Sequence, residues 1–155
     1  MVIDIPSHKT LDIRHIVCDY NGTIAKDGKL LEEVPELFHK LSERYTVHVV
    51  TADTFGSVEK ELEGTDANIK ILTTTNHTKE KEDFVQLLGA DRCAAVGNGS
   101  NDADMLKSSA IGISIVGGEG CSTRALMNSD LACNTVRDAL ELFLYPKRLI
   151  ASLRR

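Results

Sequence analysis

No two cysteines of this 155-residue chain are close enough to form a CxxC pair. Cys18, Cys93, Cys121 and Cys133 stand far apart, and Cys18 and Cys93 fall inside apolar strand-like runs. That argues against a zinc finger or a disulfide scaffold and for reduced residues of a cytoplasmic protein. No apolar run approaches the roughly 20 residues needed to cross a bilayer, so no membrane partner is expected. The first residues, Met1-Val2-Ile3-Asp4-Ile5-Pro6, lack the basic region and apolar stretch of a signal peptide. Positive charge is in deficit. Lys plus Arg number 18 against 23 Asp plus Glu, a net charge of −5, which makes a nucleic-acid backbone a poor partner. His8, His15, His39, His48 and His77 show no metal-ligand spacing and read as surface or strand residues. Gly117-Gly118-Glu119-Gly120 lacks the GK[ST] of a P-loop, and Gly97-x-Gly99 lacks the rest of a dinucleotide fingerprint. Repeats, low-complexity tracts and linkers are also missing, so residues 1–155 read as one domain.

What is present is an alternation of short β-type runs and amphipathic helical runs. Arg14 to Tyr20 is apolar and β-branched, and Val34, Leu37, Phe38 and Leu41 then recur at helical spacing. Pro35 fits the first turn of that helix, where its missing N–H is harmless. Thr46 to Thr51 predicts a second strand, Phe55 to Leu62 a short helix, and Asn68 to Leu72 a third strand. Lys79 to Leu88 predicts a helix stopped by Gly89. Arg92 to Val96 and Ala110 to Val116 predict two more strands, with a short helix over Asp102 to Ser108 between them. Late helices are predicted within residues 134–155, interrupted near Pro146. Val2 to Ile5 and Thr10 to Ile13 read as an extra hairpin on one edge. The division is thus an edge hairpin (1–13), a core (14–133) and C-terminal helices (134–155). Strand–helix alternation implies a three-layer α/β/α fold around a mainly parallel sheet.

In such a sheet ligands sit beyond the carboxyl ends of the strands. Those ends carry Asp19-Tyr20-Asn21-Gly22-Thr23, then Thr51-Ala52-Asp53, then Gly97-Asn98-Gly99-Ser100-Asn101-Asp102, with Lys79 and Lys81 at a helix start. Brought to one rim, these supply carboxylates, a hydroxyl, an ammonium and glycine-rich amides, a set suited to a phosphoryl group. A carboxylate can attack phosphorus, amides and a hydroxyl can hold the oxygens, and two nearby carboxylates invite Mg²⁺ between them. Blander readings exist for each. Asp102 suits a helix cap, Thr51 an ordinary strand position, and Lys81 a solvated charged run. Asp53 and Asp104 read as caps.

DYNGT, the strand ending in Thr51, the downstream lysine and GNGSNDADM, in this order, resemble the four motifs of the haloacid-dehalogenase-like (HAD) superfamily. Lys81 with Val85, Gly97 to Leu106, and Ala110 to Ile115 are most similar to the phosphorylation domain of P-type ATPases and to its small soluble relatives. The resemblance spans about residues 14 to 133. It implies a phosphatase or phosphotransferase with Asp19 as nucleophile and Mg²⁺ as cofactor. Mg²⁺ would be held by Asp19, the backbone carbonyl of Asn21 and Asn98, with Asp102 holding the metal or its water. Thr51 would bind the phosphoryl group, and Lys81, with Lys79 as the alternative, would stabilise its charge. Residues Ile24 to Leu30, with Gly28, would form a short flap.

Two residues depart from the pattern. Asn21 stands where HAD phosphatases carry an acid, and an amide cannot deliver a proton. General acid–base help is worth roughly 10²–10⁴ in rate, so slow hydrolysis of alkyl phosphates is expected. Asn98 stands where the family has a metal-binding Asp, which removes one negative charge. A catalytically impaired phosphate-binding or regulatory protein is therefore the alternative reading. The gaps between motifs are too short for a cap domain. The expected substrate is a phosphorylated molecule, of macromolecular size if no other subunit supplies a lid, and self-association is compatible with the open site and the hairpin. A phospho-acceptor receiver domain ranks lower, because it would place its acceptor after the third strand.

Overall fold

A computed structural model describes residues 1–53 and 56–155. Its centre is a six-stranded, wholly parallel sheet. The strands are β3 (His15–Asp19), β6 (Thr46–Thr51), β7 (Asn68–Ile71), β8 (Cys93–Gly97), β9 (Ile111–Ile115) and β10 (Leu131–Cys133). They lie in the order β10-β9-β8-β3-β6-β7, so β3 and β8 occupy the middle. Two further pairs, β1 (Val2–Ile5) with β2 (Lys9–Asp12) and β4 (Ala25–Lys26) with β5 (Lys29–Leu30), are antiparallel hairpins outside it.

The central strands are apolar on both faces because helices cover both. Ile16, Cys18, Val47, Val49, Ala94 and Val96 point to one side, where they pack with residues of α1 (Val34–Ser42), α2 (Ser57–Glu61), α6 (Val136–Leu144) and α7 (Pro146–Leu153). Val17, Val50, Cys93 and Ala95 point to the other, under α3 (His77–Leu88), α4 (Ala103–Ser108) and α5 (Thr123–Met127). The two-residue alternation sends His15 and Asp19 of β3, and His48 of β6, to that second side with Val17. Near the start of the strands, His15 Nδ1 and His48 Nε2 are 3.2 Å apart, and Phe84 of α3 meets the His48 ring edge-on at 5.5 Å.

The helix boundaries follow local chemistry. Pro35 sits in the first turn of α1. The Asn76 side chain accepts from Lys79 N at 3.1 Å and caps α3, which ends at Gly89 with φ +96°. Asp53 accepts from Ser57 Oγ and Val58 N, so it caps α2 as its position suggested.

Two expectations change. The N-terminal hairpin does not extend an edge of the main sheet. It forms a two-stranded sheet at the end of the central strands away from the site, because Ile3, Ile5 and Leu11 bury into the core beside α7 and Lys9 reaches the Ala110 carbonyl at 2.6 Å. The sixth strand, β10, is too short to show a period. The helix predicted from Phe55 is described only from Ser57, and Phe55 lies outside the described residues. The flap is a true hairpin: Asp27 (φ +52°) and Gly28 (φ +78°) make its turn, and Tyr20 anchors it by donating to the Gly28 carbonyl at 2.9 Å.

Candidate active site

Four strand ends and one helix deliver residues to a single cavity of about 230 Å³, lined by Asp19, Asn21, Thr51, Ala52, Leu72, His77, Lys81, Asn98, Gly99 and Asn101. Asp19 ends β3 and is only 8% exposed. Lys81 reaches it from α3, donating to Asp19 Oδ1 at 2.8 Å and to Asp102 Oδ1 at 2.7 Å. The same ammonium lies 3.2 Å from Asn101 Oδ1. Lys81 is thus a buried cation between two carboxylates, whereas Lys79 faces solvent and pairs with Asp83. Of the two lysines, Lys81 is the one inside.

Asp102 is fully buried. Its Oδ2 accepts from the backbone N–H groups of Asn98 (3.0 Å) and Gly99 (2.9 Å), closing the loop after β8 on itself. A Cβ at Gly97 would come within 2.6 Å of that carboxylate, so only glycine fits there. On the opposite wall, the Thr23 hydroxyl is 3.1 Å from Asp19 Oδ2 and 3.2 Å from Asn98 Oδ1. The Thr23 hydroxyl thus ties the end of β3 to the loop after β8. Gly22 (φ +79°) makes the approach possible, because a Cβ there would fall 2.3 Å from Asn98 Nδ2. Thr51 is buried at the end of β6, its hydroxyl 3.3 Å from Asp53 N. Asn21 is exposed on the rim.

The electrostatics follow from burial. Loss of solvent, followed by the nearby Asp102 carboxylate, pushes Asp19 up to about 7 against the pull of Lys81 and Thr23. Burial alone would lower Lys81, but the Asp19 and Asp102 carboxylates outweigh it and hold its ammonium charged. One buried ammonium between two carboxyl groups, in a nearly dry setting beside a cavity, is the kind of perturbed cluster that marks a candidate functional site.

Comparison with solved structures places this architecture. Superposition on the 3-deoxy-D-manno-octulosonate 8-phosphate phosphatase of Moraxella catarrhalis, solved with magnesium, phosphate and KDO, gives a TM-score of 0.72 at 16% identity, covering 92% of this chain and 94% of that one. The fold is that of the HAD hydrolases. A putative HAD hydrolase of subfamily III A from Legionella pneumophila gives 0.73 at 14% identity over 90% of this chain and 86% of its own. The cobalt-bound octulosonate 8-phosphate phosphatase of Haemophilus influenzae gives 0.73 at 11% identity over 88% and 90%. No family model matches the sequence. Two uncharacterised proteins of Methanocaldococcus jannaschii are related in sequence. One is 40% identical over 60 residues, 39% of this chain and 64% of its own length. The other is 49% identical over 39 residues, 25% of this chain and 89% of its own; the chain belongs to the same family as this second protein.

Within this HAD fold the donors suit a small hard cation. Asp19, Asn21 and Asn98 line the same cavity and offer one carboxylate and neutral amide and carbonyl oxygens. Mg²⁺ accepts one or two carboxylates and fills the remainder with substrate oxygen and water, so the residues fit it. Among the described residues no group of three or more His, Cys, Asp or Glu side chains could hold a metal ion, which reflects Asn98 in place of a carboxylate. Asp104 pairs with Arg124 at 3.8 Å on the surface, away from the cavity lining. Two contributions were missed in the sequence: Asn101, which contacts Lys81, and His77, which lines the cavity. His77 precedes Lys81 by four residues, so helical spacing alone could have found it.

Proposed function

We propose that this protein is a Mg²⁺-dependent phosphatase or phosphotransferase that forms an aspartyl-phosphate on Asp19. The observation that carries the reading is the Asp19–Lys81–Asp102 cluster, buried at the carboxyl end of the central strands and open to the cavity through Asp19. The phosphatase structures that share the fold support it. In this proposal Asp19 Oδ attacks phosphorus while Lys81, already charged and pinned, faces the phosphoryl oxygens. The Thr51 hydroxyl binds those oxygens. Thr23 orients the nucleophile by its bond to Oδ2, leaving attack to an oxygen whose direction is fixed. Mg²⁺ would be held by Asp19, the Asn21 carbonyl and Asn98, and would supply charge neutralisation at the phosphoryl group. Asp102 has both oxygens committed to Lys81 and the loop amides. Its proposed part is to set the lysine and the loop, and to hold water of the metal rather than the metal.

No flap residue is among those that line the cavity, and the short connections between motifs leave no room for a cap. A phosphoryl group presented on a large molecule therefore fits better than a small enclosed substrate. Hydrolysis of an aryl phosphate, whose leaving group needs little proton assistance, tests the reading. Turnover that requires Mg²⁺ and disappears in Asp19→Asn is the expected result. A purified, folded protein that neither turns over aryl phosphate nor forms a phosphoenzyme would favour the non-catalytic reading that Asn21 and Asn98 motivate.

A further inference from the structure

We propose that His77 is the proton-transferring residue of this site and serves in place of the acid that Asn21 cannot provide; the inference rests on the phosphatase reading above. His77 is the first residue of α3, fixed there by the Asn76 cap on Lys79 N. It lies one helical turn before Lys81 on the same face, and both side chains line the cavity with Asp19, Asn21 and Thr51. The imidazole is half-buried. Among the described residues it makes no side-chain hydrogen bond or ion pair.

The other groups on the cavity wall are unsuited to moving a proton. The Asn21 amide has no proton to give at neutral pH. Lys81 is held between Asp19 and Asp102, and Asp19 is the nucleophile. The charged groups facing the cavity are Asp19 from the end of β3 and Lys81 from α3, with Asp102 behind Lys81 on the loop after β8. One ammonium stands there between two carboxyl groups, so an imidazolium beside them meets no net positive field. Imidazole is also the side chain whose ordinary titration spans neutral pH.

The steps balance as follows. Asp19 Oδ forms a bond to phosphorus as the bond from phosphorus to the leaving oxygen breaks, and protonated His77 gives that oxygen its proton, releasing an alcohol. Neutral His77 then takes a proton from water as the water oxygen bonds to phosphorus. The bond to Asp19 breaks, releasing inorganic phosphate and restoring the carboxylate and the imidazolium.

The test compares wild type, His77→Gln and His77→Ala with Mg²⁺ on an alkyl phosphate (glycerol phosphate) and an aryl phosphate (p-nitrophenyl phosphate), from about pH 5 to 9. Both variants are expected to lose roughly 10²-fold in kcat on the alkyl substrate with little change in KM, and to lose the histidine limb of the pH profile. With the aryl substrate they should still phosphorylate Asp19 in a rapid burst and then release phosphate slowly. Thermal midpoints equal to wild type show that folding is intact, and His77→Gln provides a second variant if His77→Ala is unstable. Unchanged alkyl turnover in active protein, or a loss confined to KM, overturns the inference and leaves the phosphatase reading standing. A wild type that never phosphorylates Asp19 overturns both.

Discussion

Strand β3 starts at His15 and ends at Asp19, and both side chains enter the layer between the sheet and α3. The two ends handle buried polar groups in opposite ways. At the start, His15 and His48 satisfy each other across 3.2 Å, and burial, reinforced by the neighbouring His15, lowers His48 to about 4, so the pair is neutral. Burial and then Arg14 and Arg92 lower His15 as well. At the finish, Lys81 keeps its ammonium charge while only 3% exposed, held between the Asp19 and Asp102 carboxyl groups. Buried ion clusters are often no more stabilising than apolar packing of the same volume. The same layer shows that a neutral solution is available to this fold. An ionic cluster at one end only, beside a cavity, is what the proposed chemistry needs, whereas the neutral pair at the other end needs only to pack.

The sharpest way to break this contrast is at Asp19. Replacing it with Asn should abolish Mg²⁺-dependent aryl-phosphate turnover, by more than about 10³-fold, while the thermal midpoint holds or rises, since a buried carboxylate is relieved of its charge. Retained turnover would show that Asp19 is packing too. Next in size is Asp102→Ala. It leaves Lys81 with one partner and two loop amides with none, and should destabilise the protein by about 3 kcal/mol, read by chemical denaturation. An effect below about 0.5 kcal/mol would show that the cluster does not hold the loop.

The histidine end gives a smaller, pH-dependent effect. Because His48 binds its proton less readily folded than unfolded, its share of stability is complete above about pH 6.5 and is lost as pH falls towards 4. Solvent access at the strand start limits this to about 1–2 kcal/mol. His48→Leu should remove that part of the acid sensitivity, and a variant with the same stability profile as wild type between these limits would contradict the account. The smallest effect is expected at Lys79→Ala, within about 0.5 kcal/mol and without consequence for turnover, because that lysine pairs with Asp83 in solvent.

Much of this was legible in the sequence. The alternation of strand and helix gave the layers, and three of the four motifs fell at strand ends, which a parallel sheet brings to one rim, with the lysine on the following helix α3. What was not legible has physical reasons. Lys79 and Lys81 share one charged run, and only the helix face, set by the Asn76 cap, turns Lys81 inward. The hairpin of residues 2–12 reads as an edge element because local pattern says nothing of where Ile3 and Leu11 bury. The division of labour between Asp19 and Asp102 depends on which amides meet each oxygen, which is a property of the folded loop. His77 sits in a segment without apolar rhythm, and its place emerges only by counting one turn back from Lys81.

The most direct measurement is mass spectrometry of the acid-quenched protein after brief exposure to an acyl phosphate and Mg²⁺. The account predicts one added phosphoryl group, mapped to Asp19 and missing without Mg²⁺ or in Asp19→Asn. A phosphoryl group on any other residue, or none on folded protein under any condition tried, would contradict it.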